Sequence, residues 1–144
     1  MTRVTVVRSI RAPVDRVFST VSDISQYSRA VRDIVRFEFL SEVRSGVGTR
    51  FRETRLMKGK EHHTELDVTE YASNDRVRMV AANHGIVWDT LFTVAAVNGE
   101  TRLTTTMDAR TRRIPARIMI ALMKGKLQRA IGKDMDAVKA YCEA

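Results

Sequence analysis

The side chains best suited to chemistry fall at alternating positions near the middle of the chain. Glu53 and Arg55 are two residues apart, as are His62 and Thr64, and between the pairs Lys58-Gly59 has the composition of a two-residue hairpin loop. Pairing Met57 with Lys60 sets Arg55 opposite His62, Glu53 opposite Thr64 and Phe51 opposite Leu66. Residues two apart on a strand share a face, so these polar groups point the same way as Phe51 and Leu66. Charges among apolar side chains are costly unless paired or met by water or ligand. Three uses fit the pattern. It is a structural ion pair near an open sheet edge, a polar anchor for a ligand carbonyl, carboxylate or hydroxyl, or an acid–base pair of His62 and Glu53.

Other chemistries find less support. His62 and His63 are adjacent, so on a strand they point to opposite faces and do not easily chelate one ion. No cluster of Cys, His or carboxylates occurs at zinc spacing; neither a metal nor a cofactor is expected. Gly46-Val47-Gly48 lacks a phosphate-loop pattern and reads as a strand break. Cys142 falls on an apolar helical stripe, the position of a core residue rather than a nucleophile.

The elements that position these residues are legible from periodicity. From Ile34 the apolar period is two, with Val35, Phe37 and Phe39 alternating. Asn74-Asp75 turns the chain into Val77, Met79 and Ala81, and His84-Gly85 leads into Ile86, Trp88, Thr90, Phe92 and Val94. Asn98-Gly99 is the strongest hairpin signal. Its type I′ register sets Val94 against Leu103, Phe92 against Thr105, Thr90 against Met107 and Trp88 against Ala109. A slip by one residue would turn every one of these side chains outward. Ahead of this meander, Val4 to Ile10 reads as a strand. Pro13 opens a short helix carrying Val17, Phe18 and Val21, and Ser22-Asp23 caps a second one carrying Ile24 and Tyr27.

Arg112 to Ala144 reads as one long C-terminal helix whose apolar stripe changes direction at Gly125. Leu127, Ala130, Ile131, Met135, Val138, Tyr141 and Cys142 form an ordinary core face that seals the sheet. Ile114, Ile118, Met119, Ala121, Leu122 and Met123 look elsewhere and are expected to close a cavity, with 112–124 moving as a lid about Gly125. The predicted class is α+β, an antiparallel curved sheet of about seven strands wrapped on a long C-terminal helix, with two short helices after the first strand.

The chain has 144 residues, suiting a single domain over 1–144, and a formal charge of +8. From Arg112 to Lys133 there are seven basic residues and no acid. Such a run is a solvated face or a surface that meets anionic lipid; nucleic acid is not expected, because no aromatic residues are interleaved with it. A single cysteine excludes an internal disulfide and suits a reducing compartment. No apolar stretch follows Met1 and no 18-residue apolar run occurs, so a cytoplasmic location is expected.

The order of elements resembles the START-related, polyketide cyclase/dehydrase-like (SRPBCC) superfamily. The residues that carry the resemblance are Val6-Val7-Arg8-Ser9-Ile10-Arg11-Ala12-Pro13-Val14-Asp15-Arg16-Val17-Phe18, Gly46-Val47-Gly48-Thr49-Arg50-Phe51, Val68-Thr69-Glu70-Tyr71 and Asn98-Gly99-Glu100-Thr101-Arg102-Leu103. The resemblance implies a helix-grip fold, in which a curved sheet grips the C-terminal helix around a cavity for an apolar ligand. One departure is that members often carry Trp after the second short helix, where this chain reads Tyr27-Ser28-Arg29-Ala30; the smaller Ala30 is expected to enlarge the cavity entrance. The expected ligand-binding residues are Phe51, Glu53, Arg55, His62, Thr64, Leu66, Met79, Trp88, Thr90, Phe92, Thr105, Met107, Ile118, Met119 and Leu122. Binding or transfer of a hydrophobic small molecule, lipid or polyketide-like, ranks first. A cyclase or dehydratase using the same cavity is the alternative, second for want of a strong catalytic constellation.

Overall fold

Three tight turns fix the register of the sheet. Lys58-Gly59, His84-Gly85 and Asn98-Gly99 each place both central residues at positive φ, between 52° and 80°, the type I′ geometry whose twist matches that of the flanking strands. The computed structural model describes all 144 residues. In chain order the elements are β1 (Thr2–Ile10), α1 (Val14–Ser22), α2 (Ile24–Ala30), β2 (Ile34–Phe39), β3 (Arg50–Met57), β4 (Lys60–Ala72), β5 (Arg76–Asn83), β6 (Ile86–Val97), β7 (Glu100–Thr111), α3 (Ile114–Leu122) and α4 (Lys124–Glu143). The seven strands form one antiparallel sheet, β1-β7-β6-β5-β4-β3-β2. No helix is long and apolar enough to cross a membrane.

The registers read from the hairpin loops are those observed. Phe51 pairs with Leu66, Glu53 with Thr64 and Arg55 with His62; Trp88 pairs with Ala109, Thr90 with Met107, Phe92 with Thr105 and Val94 with Leu103. One alternation fails. The β2–β3 register shifts between Ile34 and Arg36, so Ile34 is buried while Val35 is exposed, the local kink that a bulge produces.

Pro13 stands at the N-cap of α1, and Asp23 caps α2 by accepting from the Ser25 amide. Their buried faces (Val17, Phe18 and Val21 from α1, Ile24 from α2) join Val4, Val6 and Ile10 of β1 and Met135, Val138 and Cys142 of α4 in one core. Cys142 is thus a core residue, its thiol pushed up by burial. Ala30 also lies in this core, packed at the end of α2. Its small side chain therefore fills the interior and does not widen a cavity entrance.

The C-terminal segment departs from a single helix. It breaks at Met123, which caps the end of α3 and the start of α4 with φ −90° and ψ 2°. Gly125, the expected hinge, sits inside the first turn of α4, where an added Cβ would meet only the Arg129 guanidinium at 3.6 Å. The core stripe of α4 follows the sequence reading except at Ala130, which is exposed. That of α3 does not, because the earlier break lets Ile120 turn inward onto Ile86 and Ala109, which carries Ile118 and Leu122 out to solvent.

Candidate ligand-binding site

Between the sheet and α4 lies a cavity of about 300 Å³, at the small end of the range typical of ligand pockets. The sheet supplies Phe51, Glu53 and Arg55 from β3, Thr64 and Leu66 from β4, Met79, Ala81 and Asn83 from β5, Trp88, Thr90 and Phe92 from β6, and Thr105 and Met107 from β7. These are alternate residues on each strand, as side-chain alternation requires. The helices close the other side with Val21 of α1, Ile24 and Tyr27 of α2, and Ile131, Asp134 and Met135 of α4. Space is left at the sheet because β4–β5 pairing runs only from Asp67–Val80 to Ala72–Arg76, so residues 60–66 of β4 have no partner on β5. Asn83, at the free end of β5, is an exposed member of the lining and marks a mouth there.

The charged side chains of the lining gather at one place. Arg55 Nε donates to Glu53 Oε1 at 3.3 Å, and Arg55 Nη1 donates to Asp134 Oδ2 at 3.0 Å and Oδ1 at 3.3 Å. Burial pushes the Glu53 carboxyl above the usual carboxylate range, opposed by Arg55. Asp134 is raised for the same reason, again against the pull of Arg55. Burial works against the charge on Arg55, but Glu53 and Asp134 outweigh it and hold the guanidinium above its ordinary value. The Tyr27 hydroxyl is raised by burial and by the neighbouring Asp134 and Glu53, so it stays protonated. The cluster is one cation between two carboxylates, beside a neutral phenol. Its Arg55 Nη2 amino group takes part in neither ion pair.

Of the residues expected from sequence, Phe51, Glu53, Arg55, Thr64, Leu66, Met79, Trp88, Thr90, Phe92, Thr105 and Met107 line this cavity. Four do not. His62 pairs with Arg55 along the backbone but its residue is exposed, near the free end of the β3–β4 hairpin, so the His62–Glu53 acid–base pair is not assembled in the cavity. Ile118, Met119 and Leu122 are exposed on α3; α1, α2 and α4, not α3, form the helical wall. His63 points the other way from His62 and meets Thr54 Oγ1 at 2.9 Å. Sequence reasoning missed Val21, Ile24, Tyr27, Ala81, Asn83, Ile131, Asp134 and Met135. Ala81 was available from its alternation with Met79. Asp134 carried a signal too, as the first acid after a long basic run, one turn after Ile131 and next to Met135.

Residues 1–143 match the family model described as polyketide cyclase/dehydrase and lipid transport. The chain belongs to this family. No curated protein matches the chain in sequence. Solved structures share the fold at low identity. A START superfamily protein from Mycobacterium smegmatis aligns with TM-score 0.72 and 16% identity over 96% of this chain and 97% of its own. Ara h 8.0201 aligns with TM-score 0.75 and 11% identity over 98% and 97%. The di-domain ARO/CYC StfQ from the steffimycin biosynthetic pathway aligns with TM-score 0.79 and 11% identity, over 98% of this chain and 50% of that one. They share the helix-grip fold that the START-related resemblance implies, and the family description spans both polyketide cyclase/dehydrase and lipid transport.

Proposed function

We propose that the protein binds a compact, hydrophobic, electrically neutral small molecule, lipid or polyketide-like, in the cavity between sheet and α4. The observation that carries this reading is the Glu53–Arg55–Asp134 cluster, the only charged group in a wall that is otherwise neutral and mostly apolar. A fully apolar ligand would leave the cluster unmatched, and an anionic one would meet two carboxylates around a guanidinium already engaged by both. A ligand hydroxyl or N–H can donate to the spare lone pairs of Glu53 or Asp134, and a ligand carbonyl can accept from Arg55 Nη2. The walls around Trp88, Phe92 and Leu66 take the apolar body. Mass spectrometry under native conditions, on protein purified without detergent, tests this. A co-purified neutral ligand is expected, lost in Thr90→Phe, which fills the cavity; an anionic ligand, or none with no apolar probe bound either, contradicts the reading.

A second reading rests on a specific observation. Two carboxyl groups raised by burial within one cavity, beside a protonated Tyr27, are suited to passing a proton to or from a bound oxygen. Cyclase- or dehydratase-type turnover of a polyketide-like substrate would use them, and Glu53→Gln would then stop turnover while leaving binding intact.

A further inference from the structure

The helix α3 is amphipathic the wrong way round. Ile120 alone is buried, against Ile86 and Ala109, with Trp88 packed beside them. On the outer side Ile114, Ile118 and Leu122 follow one another at four-residue intervals, and they are 66%, 58% and 82% exposed. Residues so spaced form a continuous stripe on one helical face. A nine-residue helix with its aliphatic stripe in water is an exception to the usual rule that such a stripe faces the core.

Charge identifies what the stripe meets. Flanking it in sequence are the exposed Arg112, Arg113, Arg117, Lys124, Lys126 and Arg129, and no acid occurs between Arg112 and Lys133. A second copy of the chain laid on the same face would bring two such basic sets together. Nucleic acid would find aliphatic side chains where stacking needs aromatic ones. An anionic lipid surface satisfies both features, since acyl chains accept the aliphatic stripe and headgroups attract the basic rim. Position adds a third argument. Ile86, which Ile120 packs on, pairs with Asn83 at the exposed end of the cavity, and Arg113 lies over Gly85 in the same turn, its Cδ 3.3 Å from where a Cβ would stand. We infer that α3 docks the protein on an anionic membrane surface, with the cavity mouth beside the docked helix.

Flotation with phosphatidylcholine vesicles, with and without 30 mol% phosphatidylglycerol, tests the assignment on the whole chain. Binding is expected on the anionic vesicles only and to fall with salt. Leu122→Ser with Ile118→Ser removes it, and because both side chains are exposed the fold is unaffected. Lys124→Gln with Lys126→Gln lowers binding about 30-fold, from about 5-fold per basic residue at such a surface. A neutral fluorescent probe titrated against Trp88 should bind all of these variants as it binds the parent, which separates docking from the cavity. Equal binding to neutral vesicles, binding untouched by the α3 substitutions, or no vesicle binding together with a dimer that Leu122→Ser dissolves, would each overturn the inference.

Discussion

Arg55 and Asp134, 79 residues apart in sequence, meet across the cavity with Arg55 Nη1 3.0 Å from Asp134 Oδ2. This contact ties β3 to α4 and sits on the wall that a ligand would touch. It is half-buried rather than exposed, so it differs in kind from the sheet's outer pairs such as Arg36–Glu61, which contribute little.

Removing Arg55 should therefore cost more than any surface charge. Arg55→Met leaves two carboxyls in a desolvated place, a loss of about 3 kcal/mol at pH 7.5 by the lower end of the cost for breaking such a pair. The sign of the pH dependence follows from the shifts. Both carboxyls are raised above their ordinary values of 4.5 and 3.8, so the stability they contribute is complete below those values and is lost as pH rises through the raised ones. Arg55 is what pulls both down, so without it they rise further. Urea unfolding at pH 5.0 and 7.5 should show the variant's deficit shrinking at the lower pH, and an equal deficit at both would contradict the account.

The cavity itself can be filled. Thr90 is only partly buried and lines the empty space, so Thr90→Phe should change stability by no more than about 1 kcal/mol, below the usual cost of overpacking a solid core. It should nevertheless abolish probe binding. A loss of several kcal/mol in thermal or urea unfolding would mean the space is not available.

The two glycines of α4 should respond unequally. Glycine inside a helix costs about 1 kcal/mol against alanine, and at Gly125 the new methyl has room. Gly125→Ala should then stabilise by up to that amount. At Gly132 a Cβ would stand 3.1 Å from Arg8 Nη2, so the guanidinium that also pairs with Asp136 at 2.6 Å must shift. Gly132→Ala should gain less or lose, and chemical denaturation of both variants compares them directly.

How much was legible beforehand depends on the kind of signal. The hairpin loops Lys58-Gly59 and Asn98-Gly99 dictate register locally, so the inward face from Phe51 to Met107 could be read without any tertiary information. The helical wall could not. Which side of a helix faces a sheet depends on where the helix breaks, and the break falls at Met123 because Ile120 finds Ile86 and Ala109, a contact no periodicity encodes. Glycine at 125 looked like the hinge since it has the lowest helix propensity nearby, yet it is accommodated inside α4. His62 was misplaced for another reason. Its face was right, but the β3–β4 hairpin runs past the last β4–β5 pair, and alternation says nothing about where a sheet runs out of neighbours.

Mobility should follow the same division. Because α3 is held to the sheet through Ile120 while α4 buries Met135, Val138 and Cys142, local opening should be easier in α3. Amide exchange is expected to be faster over 114–122 than over 127–142, and to slow in α3 on anionic vesicles. Uniform protection along both helices would contradict this division.

The central claim, a neutral apolar ligand held beside the Glu53–Arg55–Asp134 cluster, is tested most directly with two dyes that differ by one charge. Trp88 is the chain's single tryptophan and lines the cavity, so its emission reports occupancy. N-phenyl-1-naphthylamine is neutral and 1-anilinonaphthalene-8-sulfonate is the same body bearing a sulfonate. The protein's overall charge of +8 favours the anion everywhere except at the cluster. The account predicts that the neutral dye quenches Trp88 at least tenfold more tightly, and that the difference narrows in Glu53→Gln. Tighter quenching by the sulfonate, or no response of Trp88 to either dye, would contradict it.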